Sequence, residues 1–170
     1  ENVNQLEIAW TYDAGERPEN SRIQMECNPL IIDGVLYGTT AQLIVFALDA
    51  STGEALWGFD PYETRIAQGT GPVNRSGVNR GLTYWSNGKE KRLLYVSENY
   101  LYAIDAETGH LIDSFGTNGR TDLKKGLGRN IDTLSYSVSS PGVVFEDLII
   151  MGSRVSPSYP SAPGHIRAFN

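Results

Sequence analysis

The sequence predicts an all-β chain assembled from a repeated unit, and three observations carry that prediction. The 18 Gly and 8 Pro fall between short apolar runs, the distribution of many strands joined by many turns. The stretch Leu48–Asp60, LDASTGEALWGFD, is nearly rewritten at Ile104–Gly116 as IDAETGHLIDSFG, 56 residues later. No segment of about 12 or more residues holds a helical apolar period without a Gly or a β-rich run. The best helical candidate, Thr121–Gly128 (TDLKKGLG), reads as a loop or a single turn.

The elements follow in order. Leu6–Tyr12 (LEIAWTY) reads as an opening strand. Asn28–Thr40 (NPLIIDGVLYGTT) gives an apolar run, an Asp-Gly turn and a second alternating strand. Ala41–Asp60 adds a strand, a turn and another strand. The pattern returns over Lys91–Gly116 and again from Gly142, ending at Gly164–Asn170 (GHIRAFN). Aligning Ala47, Ala103 and Ala168 gives offsets of 56 and 65 residues. A bare four-stranded propeller blade needs about 40–45, so each unit carries loop insertions. The charged tip Asn87–Arg92 (NGKEKR) reads as a solvated hairpin end.

The repeated turn has a physical reading. Asp49 can accept hydrogen bonds from the backbone just after it, and Gly53 can take positive φ without steric cost. Trp57, four residues on, can insert its ring against a neighbouring unit, where its indole N–H needs an acceptor. Trp10 and Trp85 read the same way, as packing residues. Such a unit buries its faces only by stacking on copies of itself, and the simplest closed stack is a β-propeller. One opening strand, two complete units and the start of a third fall short of the roughly 4–8 blades that close one. The expected boundaries are about 20–60, 80–120 and 135–170, with residues 1–19 supplying a strand of the closing blade. On that count the chain is the N-terminal part of something larger.

Composition excludes several functions. A net charge of −6 argues against a duplex nucleic-acid binder, which carries a basic face. The single Cys27 excludes an internal disulfide framework and a multi-thiolate metal site, and it reads as a small buried hydrophobe rather than a redox thiol. His110 and His165 have no partner at metal-ligand spacing. No apolar run approaches the roughly 20 residues that span a bilayer. No secretory apolar region stands at the start, so any signal peptide is expected to be removed or never present.

The pattern Ala47-x-Asp49-x-x-Thr52-Gly53-x-x-x-Trp57 resembles the tryptophan-docking repeat of the pyrroloquinoline quinone (PQQ) dehydrogenases. LEIAWTYDAGE is similar to that family's opening strand, MECNPLIIDGVLYGTT to its first blade and SGVNRGLTYW to the second-blade motif of the methanol and alcohol enzymes. FGTNGRTDLKKGLG and the run from SYSVSSPGVVFEDLIIMGSRVS to PGHIRAFN resemble the membrane glucose dehydrogenase branch. The resemblance implies an eight-bladed propeller that binds PQQ near its axis with a calcium ion. It further implies oxidation of an alcohol or sugar, electron transfer to cytochrome c or ubiquinone, and a periplasmic or secreted location. Carried over by position, Glu26 matches the cofactor-contacting acid and Arg80 the arginine beside the quinone. Ser139, Ser153 and Arg154 fall in third-blade segments that line the cofactor pocket.

These types suit the chemistry. PQQ carries three carboxylates and an o-quinone, to which an arginine can donate paired, charge-assisted hydrogen bonds. Read alone, Arg80 is a surface or inter-blade ion pair, Glu26 a solvated acid, and the two serines and Arg154 loop hydrogen-bonders.

The departures are equally specific. Asn74 and Arg75 stand where methanol-type enzymes have adjacent cysteines, and Ser76 where the glucose branch has histidine. RVSPSYPSAPG has no counterpart of the calcium-binding glutamate, so calcium ligands are expected outside this chain, as are the catalytic aspartate and the aromatic floor. Asp113 replaces the second repeat's tryptophan. A non-enzymatic propeller of the same repeat, acting as a periplasmic scaffold or sensor, is the alternative. It would have no reason to keep both ECNP and VNRGLTYW.

Overall fold

The computed structural model describes residues 3–15, 24–67 and 77–170. Two four-stranded antiparallel meanders lie side by side, each in chain order. The first is β1 (Leu30–Ile32), β2 (Val35–Thr39), β3 (Val45–Asp49) and β4 (Ala55–Phe59). The second is β5 (Thr83–Ser86), β6 (Lys91–Ser97), β7 (Tyr100–Asp105) and β8 (Arg120–Asp122). A third, less regular unit comprises β9 (Tyr136–Ser137), β10 (Val143–Phe145), β11 (Leu148–Met151), β12 (Arg154–Val155) and β13 (Arg167–Phe169). Its ladders run β10-β11-β13 and β9-β12. Ala47, Ala103 and Ala168 sit on β3, β7 and β13, the third strand of each sheet, as their alignment predicts.

The second sheet shows why its apolar runs are continuous. Side chains alternate along a strand, and on β6 Leu93 and Tyr95 join one core while Leu94 and Val96 join another. On β7 Tyr102 and Ile104 face the first core, Leu101 and Ala103 the second. The sheet is therefore buried on both faces, between the first sheet and the third. Burying each large apolar side chain stabilises by about 1.5–3 kcal/mol. Burial also pushes the Tyr95 phenol well above its ordinary pKa. Its hydroxyl stays satisfied by donating to the Leu43 carbonyl, in the β2–β3 loop, at 2.6 Å.

The repeated turns have the geometry their residues predict. Asp49 Oδ1 accepts from the Ser51 and Thr52 amides, both at 2.9 Å, and Asp105 Oδ1 accepts from those of Glu107 and Thr108 at 3.0 and 2.8 Å. Gly53 and Gly109 both take φ 75°. A Cβ at Gly53 would lie 2.5 Å from the Trp10 ring, and one at Gly109 would lie 2.6 Å from that of Trp57. Trp10 Nε1 donates to the Ala50 carbonyl and Trp57 Nε1 to that of Ala106, each at 3.2 Å. Ala106 also accepts from the buried Tyr37 hydroxyl at 3.1 Å, so one carbonyl ties β2 and β4 to the second sheet. Trp85 joins the second sheet to the third through the Glu146 carbonyl at 3.1 Å.

Three features add to or depart from the sequence reading. Leu6–Tyr12 forms no ladder among the described residues. Leu6 and Ile8 are exposed, and the segment is held through Trp10 and a 5.0 Å contact between the Tyr12 and Phe46 rings. The α-helix among the described residues, α1 (Pro61–Ala67), was not anticipated, while Thr121–Gly128 runs from the end of β8 into turns, as its reading as a loop or single turn expects. The start of α1 is built from Asp60, whose carboxylate accepts the Tyr62 amide at 2.8 Å, and from Pro61, which loses nothing in the first turn. Cys27 is half-buried rather than core, and its Sγ accepts the Thr39 amide at 3.2 Å. The substituted positions Asn74, Arg75 and Ser76 lie outside the described residues.

Candidate functional site

A cavity of 610 Å³ opens where the segments leading into β1, β5 and β10 converge. It is lined by all five residues singled out from the sequence: Glu26, Arg80, Ser139, Ser153 and Arg154. They come from the three successive units, and only Arg154 lies within a strand, so no local motif assembles them. Val78, Val138, Ser140, Pro141 and Gly152 complete the wall, and none of these was singled out. Their signal lay in their neighbours, since each lies within two residues of one that was.

The backbone holds the three segments in register. The Asn28 amide donates to the Arg80 carbonyl at 3.1 Å, and the Arg80 amide donates to the Ser139 carbonyl at 2.8 Å. Asn28 and Gly81 form a parallel bridge. Gly81 has φ 138°, and a Cβ there would meet the Asn28 oxygen at 2.9 Å, so this crossing requires glycine. Arg154 is placed by its pairing with Ser137 across the β9–β12 ladder.

Asn79 is the polar centre of this joint, and sequence reasoning passed over it. It is 5% exposed. Its Oδ1 accepts from the Thr39 hydroxyl at 3.2 Å and the Gly81 amide at 2.8 Å, and its Nδ2 donates to the Val96 carbonyl at 3.0 Å.

The electrostatics are simple. Arg80 Nε donates to Glu26 Oε2 at 3.2 Å, an ion pair between the first and second units with side chains 55% and 32% exposed. At that exposure water screens the pair and it adds little to stability. It does fix which nitrogen of Arg80 is already engaged. Arg154 makes no ion pair among the described residues, so the lining carries one surplus positive charge. Ser153 Oγ is buried without a hydrogen-bond partner, an expensive state for a hydroxyl unless a ligand completes it. Among the described residues no three His, Cys, Asp or Glu side chains come together to hold a metal ion.

Two guanidinium groups, three serine hydroxyls and a short apolar wall therefore line this cavity.

The family model described as PQQ glucose/ethanol/alcohol dehydrogenase, β-propeller domain, matches residues 1–170. The chain belongs to this family. Its fold is accordingly part of a β-propeller. The alcohol dehydrogenase (quinone) dehydrogenase subunit of Gluconacetobacter polyoxogenes is 34% identical over 171 residues, covering 99% of this chain and 20% of that protein. The quinoprotein glucose dehydrogenase of Escherichia coli K12 is 27% identical over 183 residues, covering 100% of this chain and 23% of that protein. Among solved structures, the quinohemoprotein alcohol dehydrogenase of Comamonas testosteroni matches with a TM-score of 0.61 at 25% identity, over 90% of this chain and 20% of that one. The chain spans about a fifth of the length of the curated relatives it matches.

Proposed function

We propose that this chain supplies one wall of the cofactor cavity of a PQQ-dependent dehydrogenase that oxidises an alcohol or a sugar. Glu26, Arg80, Ser139, Ser153 and Arg154 are its cofactor-binding residues. The observation that carries this reading is their convergence, from three units of the fold, on one cavity with a cationic surplus and an orphaned serine hydroxyl.

The residues present fit the group. When bound, PQQ supplies an o-quinone that accepts the hydride of the substrate. Arg80, with Nε committed to Glu26, keeps both terminal nitrogens for an anionic oxygen, where charge-assisted bonds are strongest. Ser153 Oγ–H gains an acceptor in the same event, and Arg154 adds a second cation for a carboxylate. Glu26 acts by orienting Arg80 rather than as a base, because its carboxylate is engaged by the guanidinium. Among the described residues no other carboxylate lines the cavity, and proton removal from substrate is assigned to residues outside this chain. The 170 residues alone are expected to give no turnover with PQQ and calcium.

The calcium ligands, the remaining blades of an eight-bladed propeller and the contact to cytochrome c or ubiquinone are likewise assigned outside this chain, in a periplasmic or secreted protein.

The test is PQQ titration of the full-length protein, with calcium, followed by fluorescence quenching. Saturable binding that weakens about tenfold or more in Arg80→Ala, about 1.4 kcal/mol, is expected. No binding by the folded protein sinks the enzyme reading and leaves a non-enzymatic propeller of the same repeat.

A further inference from the structure

Beyond the five cavity-lining residues, we propose that Asn79 is a positioning residue that sets the Arg80 guanidinium in the cavity. The inference rests on the reading of that cavity as the PQQ site.

Three observations converge on it. First, the Asn79 Oδ1 bond to the Gly81 amide closes a turn two residues on, with Arg80 as its central residue. Inside that turn the Arg80 amide and carbonyl are both spent, on Ser139 and Asn28. Only the Arg80 side chain is left to vary, and its starting direction is set by the turn.

Second, the other two Asn79 bonds anchor the turn to both neighbouring sheets. The Thr39 hydroxyl belongs to the end of β2 and the Val96 carbonyl to β6. Thr39 in turn donates its amide to Cys27 Sγ, one residue from Glu26. The same hub therefore sits behind both members of the Glu26–Arg80 pair.

Third, Asn79 does not line the cavity and is buried, so its side chain touches the site only through these bonds. A side-chain amide offers an oxygen with two acceptor sites and, on the same planar group, a separate N–H donor. Aspartate keeps the acceptors and loses the donor. Alanine loses both.

The experiment is a double-mutant cycle on the full-length protein, reading PQQ affinity by fluorescence titration and folding by thermal unfolding. Asn79→Ala is expected to weaken PQQ binding about tenfold in the native background and by less than about twofold in an Arg80→Ala background. Asn79→Asp keeps the turn around Arg80. It is expected to lower the unfolding temperature as Asn79→Ala does, while holding PQQ markedly better. Equal losses in both backgrounds, or native affinity in a folded Asn79→Ala protein, overturn the proposal.

A crystal structure of unliganded Asn79→Ala provides the arm independent of the cofactor. The Glu26–Arg80 contact is expected to be lost, and an intact contact overturns the inference. If the native protein binds no PQQ, the dehydrogenase reading falls and this second arm still decides the role of Asn79.

Discussion

The first and second sheets carry the same turn and finish differently. After Gly53 the chain pairs β4 against β3 through Ala47↔Trp57, Phe46↔Gly58 and Val45↔Phe59. After Gly109 it pairs only Ile104 with Leu111, and the Ile112 amide donates to the Ala103 carbonyl before the strand ends. Asp113, four residues beyond Gly109 as Trp57 is beyond Gly53, is exposed. The chain turns at Ile112–Phe115, makes a tight reversal at Thr117–Arg120, and returns as β8 to pair with the start of β7. The turn therefore directs the chain outward but does not hold the outer strand. The side chain that reaches the next unit holds it. An aspartate has no apolar surface to bury there and stays in water.

This comparison breaks most sharply at Trp57. Its ring packs on Gly109, its indole N–H satisfies Ala106, and its centroid lies 5.9 Å from that of Tyr37. Trp57→Ala should cost about 3 kcal/mol, the lower end for a large aromatic because Trp57 is only half-buried. Asp113→Ala should stay within about 0.5 kcal/mol. Urea midpoints at unchanged slope check both. Comparable losses at the two positions would mean that the outer strands are held by their ladders and not by the docked ring.

A smaller effect is expected from the other side of the same contact. Gly109→Ala places a Cβ 2.6 Å from the Trp57 ring at a residue with φ 75°. The left-handed conformation alone costs about 1–2 kcal/mol. In a Trp57→Ala background the clash disappears and only that conformational cost should remain, so the two substitutions are expected to be non-additive. Simple additivity would show that the ring moves aside freely, and that the glycine serves the turn alone.

The repeat was legible because its chemistry is local: an acceptor, a left-handed glycine and a ring at fixed spacing. The cavity residues were legible only through the family resemblance, since Glu26, Arg80 and Ser153 are brought together across 127 residues of chain. Asn79 was hidden by its ordinariness. An asparagine beside an arginine has no sequence signature, and its importance lies in three partners contributed by β2, β6 and its own turn. The helix at Pro61 escaped because seven residues are too few to show a period, although the Asp60-Pro61 start signal was there to be read. The opening segment Leu6–Tyr12 pairs with no strand among the described residues, and its place is set by the Trp10 ring on Gly53, as Trp57 packs on Gly109.

The smallest expected effect separates the two turns by their acids. Four hydrogen bonds from Ser51 and Thr52 converge on Asp49 Oδ1. They hold its carboxyl below the ordinary 3.8, with the Ser51 hydroxyl the largest cause. A carboxylate whose pKa is lower in the folded state than in the unfolded one binds fewer protons when folded. Its contribution to stability is complete above the unfolded-state value and is lost as pH falls through the folded-state value. Asp49→Asn removes that linkage while keeping an acceptor for the turn. The variant should therefore lose less stability than the native protein as pH falls through and below the ordinary carboxylate range, and the two should differ least in slope near neutrality. Because the Asp49 turn lies at the surface, added salt should shrink the difference. Parallel acid-unfolding curves for native protein and variant would place the acid sensitivity elsewhere, and would leave the first turn held by its glycine and its docked ring.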